Sequence, residues 1–175
     1  MLEILIVVVV LTIDQVVKYL SELYLSPLGT SLQVIPGVFQ LTSAHNTGAA
    51  WGMLPGGKWL FLGLTLIVCV LIALFVIRYR KKMTILSRVT LSLLLAGALG
   101  NAIDRLVLSY VRDMFYFSLI NFPIFNVADS ALTVGCILLI ADVLFMKERS
   151  VFEIKLHNRV SQSEQTTETD GEPKE

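Results

Sequence analysis

The sequence predicts an all-α membrane protein with four transmembrane helices and a small β-rich extracytoplasmic unit between the first and second. Three observations lead there. Of 175 residues, 55% are hydrophobic and only 16% charged, too apolar a balance for a soluble domain. Four apolar runs each reach the roughly 20 residues that a helix needs to cross about 30 Å of hydrocarbon. Lys and Arg collect in alternate connecting segments, the charge bias that orients membrane helices.

The first run spans residues 2–20. A cleavable signal peptide is a poor match, because there is no basic n-region, Asp14 and Lys18 stand inside the run, and no small-x-small site follows. It is read as a retained span. The following segment contains "LQVIPGVFQLTSAHNTGAAWG", in which Val, Phe, Leu and Thr are broken by Pro36-Gly37, the mark of a strand-and-turn unit. The second run covers 59–77, the third 85–103 and the fourth 127–146, so residues 1–150 form one membrane domain. Residues 151–175 form a polar, acidic tail expected to be disordered from about 160.

Arg78, Arg80, Lys81, Lys82 and Arg88 lie between the second and third runs, and Lys147, Arg149 and Lys155 after the fourth. Both termini and the 78–88 loop are therefore expected in the cytoplasm, and segments 21–58 and 104–126 outside. Tyr19, Tyr24, Trp51 and Trp59 suit the headgroup level. The 14 basic and 14 acidic side chains cancel, which gives no field directed at nucleic acid. Cys69 and Cys136 each sit inside an apolar run, as small packing residues do. Only His45 and His157 are histidines, so neither a disulfide framework nor a metal cluster is supported, and no cofactor is expected.

The polar residues of the runs collect at one depth. Asp14 lies roughly 18 Å along a helix entered from the cytoplasm, and Lys18 follows one turn later. Asn101 and Asp104 end the third run, Asp113 lies in the loop beyond it, and Asn126 and Asp129 open the fourth. Asn46 and Thr47 belong to the other outer segment, whereas Asp142 falls near the cytoplasmic side. Local readings exist for each. Asp14 and Lys18 at i,i+4 make an ion pair that lets the first span exist in lipid. Asn126 and Asp129 suit the N-cap and N3 positions of the fourth helix. Asp104 beside Arg105, and Asp113 beside Arg112, could be local salt bridges, and Gly97 and Gly100 are helix-packing residues. His45 reads as a loop residue. Gathering several carboxylates at one depth nevertheless carries a desolvation cost that packing does not explain. Two close carboxyls share a proton, so that one activates water and the other donates to a carbonyl oxygen.

"DQVVK", "HNTGAAWG", "GALGNAIDR" and "FNVADSALTVG" occur in the order and spacing of lipoprotein signal peptidases (signal peptidase II), and the resemblance covers residues 10 to 146. It implies a bacterial inner-membrane aspartyl endopeptidase, with its active site facing outward. The implied substrates are diacylglyceryl-modified prolipoproteins, cut N-terminal to the lipidated cysteine, and globomycin is the expected inhibitor. The catalytic pair it implies is Asp113 and Asp129, while Asp14, Lys18, Asn46, Gly100, Asn101, Asp104, Arg105, Asn126 and Ala128 fall on site-shaping positions. Where the related pattern reads VVDF, this chain has "VRDM", with Arg112 and Met114 flanking Asp113. That departure keeps Asp104 open as an alternative partner of Asp129. Substrate peptide and membrane lipid are the expected partners, and Trp51 with the first outer segment would clamp the peptide. A small ion-coupled carrier would place its carboxylates near the midplane in paired repeats. A four-span scaffold protein would not need the four ordered motifs.

Overall fold

The structure, a computed structural model, describes residues 1–48, 54 and 56–145. Trp51 and the 151–175 tail lie outside the described residues. Four long helices are present among them: α1 (Leu2–Tyr24), α2 (Lys58–Tyr79), α3 (Ile85–Leu108) and α4 (Val127–Phe145). All four are long and apolar enough to cross a membrane. α1 and α3 run past the expected ends of their apolar runs, so Asp104 and Arg105 belong to the last turns of a helix and not to a loop.

Each helix buries one stripe and leaves the rest apolar and open. On α1 the fully buried residues are Asp14 and Lys18, while Ile4, Val8, Val9, Ile13 and Val16 are exposed. In water that would be an inverted helix; in lipid it is the expected polarity. α2 packs Ile72, Phe75, Val76 and Tyr79 against Met83 and Leu91, the i, i+3, i+4, i+7 spacing of a single helical stripe. α3 and α4 approach most closely, because small residues line both. A Cβ on Gly97 would stand 2.5 Å from the Ala128 carbonyl oxygen, and one on Gly135 would stand 2.8 Å from Leu94 Cδ2. Away from the sheet, Ser87 Oγ donates to Asp142 Oδ2 at 2.8 Å and Arg88 Nε to Glu3 Oε1 at 2.7 Å. These bonds pin α4 and α1 to the start of α3. The Thr84 hydroxyl caps α3 by accepting the Ser87 N–H at 3.0 Å.

A three-stranded antiparallel sheet closes one end of the bundle, in the order β1 (Ser31–Ile35), β2 (Phe39–Asn46), β3 (Val111–Phe117). β1 and β2 are the hairpin read from Pro36-Gly37. Gly37 has φ +72°, and the Val38 N–H closes the turn on the Ile35 carbonyl at 3.0 Å, as a turn with Pro then Gly at its centre requires. His45 therefore lies in a strand, stacked 3.8 Å from Tyr110, and not in a loop. The third strand comes from far along the chain. Ser109 ends α3 in the left-handed conformation, φ 71°, and the chain passes straight into β3. A bulge interrupts the β2–β3 ladder between Leu41 and Ala44, beside the pairing of Ala44 with Asp113. Beyond β3, the N–H groups of Met114 and Phe115 bond the Phe125 carbonyl at 3.0 and 2.8 Å. That bridge delivers Asn126 and the start of α4 to the side of Asp113.

Candidate active site

The start of α4 is assembled from three segments. Asn126 Oδ1 accepts the Asp129 N–H at 2.9 Å, and Asp129 Oδ2 accepts the Asn126 N–H at 3.2 Å. This is a reciprocal capping box. Asp14 adds a cap from another helix, since its Oδ1 accepts the Ala128 N–H at 2.8 Å. The capping reading of Asn126 and Asp129 thus holds as geometry, and it leaves one oxygen of Asp129 aimed elsewhere.

Two amides fill the space between the acids. Asn101 Nδ2 donates to Asp129 Oδ1 at 2.7 Å. Asn126 Nδ2 donates to Asp113 Oδ1 at 2.7 Å and to Asn101 Oδ1 at 3.1 Å. From β2, Asn46 Nδ2 reaches Asp113 Oδ2 at 3.1 Å. One residue, Asn126, therefore touches Asp129 through its backbone and its amide oxygen, and Asp113 through its amide nitrogen. Burial, and after it the negative charge of Asp129, push the Asp113 carboxyl up to about 7, against the opposing hydrogen bonds from Asn126 and Asn46.

Both acids line a cavity of about 730 Å³, shared with Asn46, Asn101 and Arg105. Its other walls are mainly apolar, among them Phe117, Phe122, Phe125, Leu132 and Val134. A smaller space of about 280 Å³ meets Asp113 and Asn46 beside His45 and Thr47. Arg105 stands at the cavity wall, its Nη2 donating to the Gly48 carbonyl at 2.9 Å and its guanidinium 4.9 Å from the Phe61 ring.

Behind the amides lies a buried charge cluster. Lys18 Nζ is 2.9 Å from Asp14 Oδ2, 3.1 Å from Asn101 Oδ1 and 3.5 Å from Asp104 Oδ2, with Lys18 and Asp14 both fully buried. The intrahelical Asp14–Lys18 pair is thus present, inside a larger network. Gly100 makes room for it, because a Cβ there would fall 2.7 Å from Asp14 Oδ2 and 3.0 Å from Ala128 Cβ.

Two local pairings expected from adjacency are absent. Asp104 binds Arg112 and Lys18, not Arg105. Arg112 faces away from Asp113, because neighbours on a strand point to opposite sides. Gln15 and Glu22 were not singled out from the sequence, yet both belong here. Gln15 Nε2 bonds Asp14 at 3.0 Å and Asp104 at 3.3 Å, and Glu22 meets His45, Tyr110 and Arg112. Gln15 carried a signal, since it is a third polar residue in the span beside Asp14; Glu22 looked like an ordinary interfacial charge.

Comparisons with known proteins agree on one family. The family model for signal peptidase (SPase) II matches residues 6–145. The lipoprotein signal peptidase of Lactiplantibacillus plantarum is 44% identical over 137 residues, 78% of this chain and 90% of that protein. That of Bacillus subtilis is 42% identical over 146 residues, 82% of this chain and 94% of its own length. A bacterial membrane enzyme solved by the in meso method at 2.3 Å resolution superposes with a TM-score of 0.74 at 40% identity, covering 85% of this chain and 89% of that one. Four spans, a three-stranded sheet and these matches together make the chain a multi-pass membrane peptidase belonging to the signal peptidase II family.

Proposed function

We propose that the chain removes signal peptides from diacylglyceryl-modified prolipoproteins by aspartyl chemistry, with Asp113 and Asp129 as the catalytic pair. The observation that carries the reading is their joint attachment to Asn126 at the wall of one largely apolar cavity. Asp104 is the weaker partner for Asp129, because both of its oxygens are held by Arg112 and it is not among the cavity-lining residues.

Asp129 accepts the Asn101 amide and the Asn126 backbone N–H at the positive end of α4, which suit a carboxylate. Asp113, buried and facing that charge, keeps the shared proton. A water between them gives a proton to Asp129 as its oxygen attacks the scissile carbonyl carbon, while Asp113 protonates the carbonyl oxygen. Collapse breaks the C–N bond, and the leaving nitrogen takes a proton from the pair. The bond cut lies N-terminal to the lipidated cysteine. The signal peptide arrives laterally as an apolar helix, its diacylglyceryl chains in lipid against walls such as Phe122 and Leu132. Asn46 and Arg105, which line the cavity, hydrogen-bond its extended backbone. Asp14, Lys18, Gly100, Asn101, Asp104 and Ala128 hold the pair in place.

The basic loop 78–88 supports a site facing the outer side of the bacterial inner membrane. Globomycin is the expected inhibitor. In a cleavage assay on a diacylglyceryl-modified prolipoprotein, Asp129→Asn is expected to abolish turnover, a loss of about 10³-fold or more, while the protein still inserts and melts cooperatively. Full activity in that variant would sink the assignment.

A further inference from the structure

We propose that Arg112 is a positioning residue for peptide cleavage, acting on the Asp113–Asp129 pair through Asp104, Lys18 and Asn101 without touching substrate. The inference rests on the catalytic reading given above. Arg112 stands one place before Asp113 on β3, where the related sequence pattern carries Val, and its side chain turns toward α1 and α3. Its backbone N–H and Nε donate to Asp104 Oδ2 at 3.0 and 3.1 Å, and Nη2 donates to Asp104 Oδ1 at 2.8 Å. That is a two-oxygen fork on a carboxylate only 1% exposed. Nη2 also meets Gln15 Oε1 at 2.9 Å, and Nη1 meets Glu22 Oε2 at 3.4 Å. One side chain thereby ties β3 to both α1 and α3.

The fork decides where Lys18 sits. Asp104 has its charge balanced by Arg112, so Lys18 lies closer to Asp14 and Asn101, at 2.9 and 3.1 Å, than to Asp104 at 3.5 Å. The ammonium fixes the Asn101 amide: its oxygen faces Lys18 and Asn126, and its nitrogen must then face Asp129. Asn126, oriented by the same oxygen, presents its nitrogen to Asp113. Take away Arg112 and a buried carboxylate loses its main partner, which costs more than a surface pair would. Lys18 is then drawn toward Asp104 and releases the amide that aligns both acids.

Charge follows the same route. Asp113 is faced by Asp129 of α4, Lys18 of α1, Arg105 of α3 and the neutral amides Asn46 and Asn126, with Asp104 and Asp14 behind them around Lys18. Removing one cation from behind this group leaves it more negative and makes the last proton harder to lose.

The test compares wild type, Arg112→Met and Arg112→Lys in a cleavage assay on diacylglyceryl-modified prolipoprotein across pH 5 to 9. Arg112→Met is expected to lower kcat about tenfold or more with KM within about twofold, and to move the alkaline limb of the kcat/KM profile upward by about half a pH unit. Arg112→Lys, which keeps the charge but not the fork, is expected to leave that limb in its wild-type place and to recover part of the rate. A wild-type rate and profile in Arg112→Met overturns the inference alone, as does a lowered rate with an unmoved limb that Lys does not restore. If wild type itself fails to cleave, the catalytic reading falls and takes this inference with it. Should Arg112→Met not fold, Arg112→Gln carries the test: it keeps donors but no charge, so an unshifted limb overturns the proposal.

Discussion

Asp113 and Asp129 share a bridging amide but live in different surroundings, and the difference is measurable. Asp129 is the third residue of a helix, held by its own cap and by Asn101. Asp113 is 3% exposed on a strand, and its hydrogen-bond donors among the described residues are the neutral amides of Asn46 and Asn126. Its carboxyl moves from the ordinary 3.8 to about 7, through burial first and the Asp129 charge second. The folded chain then binds this proton more tightly than the unfolded one. The stabilising contribution is complete below pH ~4 and is lost as pH rises toward about 7. Asp113→Asn removes the dependence, so wild type should lose stability relative to the variant across that window, by at most about 1.4 kcal/mol per pH unit. Melting curves of both proteins from pH 4 to 8 check it; a constant difference would mean that Asp113 is not perturbed. Adjacency in sequence misleads at this scale. Arg112 beside Asp113 suggests a pair, and Asp104 beside Arg105 another, but strand alternation and helical rotation send each to a different neighbour. Asp104 finds its cation eight residues on, across the turn at Ser109, which no local pattern states.

At the scale of elements, the site depends on how closely α3 and α4 approach. Gly97 and Gly100 lie on α3 where α4 begins, and a Cβ on Gly97 meets a backbone carbonyl, which cannot swing aside as a side-chain tip can. Gly97→Ala is therefore expected to push α4 outward and cost about 1–3 kcal/mol, with cleavage falling as the Asn101–Asp129 bond lengthens. Gly63, on the exposed face of α2, has nothing within 4 Å of such a Cβ. There the same change should be neutral or stabilise by up to about 1 kcal/mol. Thermal unfolding of the two variants decides; equal effects would remove the packing argument. The helices and the β1–β2 hairpin were legible because their signals are local: unbroken apolar runs, and Pro36-Gly37 between β-branched stretches. β3 was not. "VRDMFYF" becomes a strand by pairing with β2 about 70 residues earlier and with the bridge to Phe125. That pairing, with its bulge beside Asp113, aims the carboxylate into the cavity. Asp129 stood out as a carboxylate opening an apolar run, whereas Asp113, outside the apolar runs, was marked by the family resemblance; their mutual orientation needed the third strand.

For the whole molecule, the two ends of the bundle differ in chemistry, and that asymmetry predicts how it lies in the membrane. One end carries the sheet, the cavity and the buried carboxylates; the other carries the basic turn between α2 and α3. Positive loops resist translocation, so the sheet should face outward, where a secreted lipid-modified peptide is presented. The native thiols make this testable with little interference. Cys69 is buried and Cys136 is exposed on α4, within a stretch that would face hydrocarbon. Neither should react with a charged reagent, and both can be replaced by Ser for a clean background. Gln33 on β1 and Lys81 in the basic turn are both exposed and lie at opposite ends. In intact cells whose outer barriers admit the reagent, Gln33→Cys is expected to be labelled by a membrane-impermeant maleimide and Lys81→Cys to be labelled only after lysis. The reverse pattern would put the sheet in the cytoplasm. It would also separate the carboxylate pair from any peptide cut after export, since Asp113 and Asn46 are built into that sheet and cannot be turned outward without it.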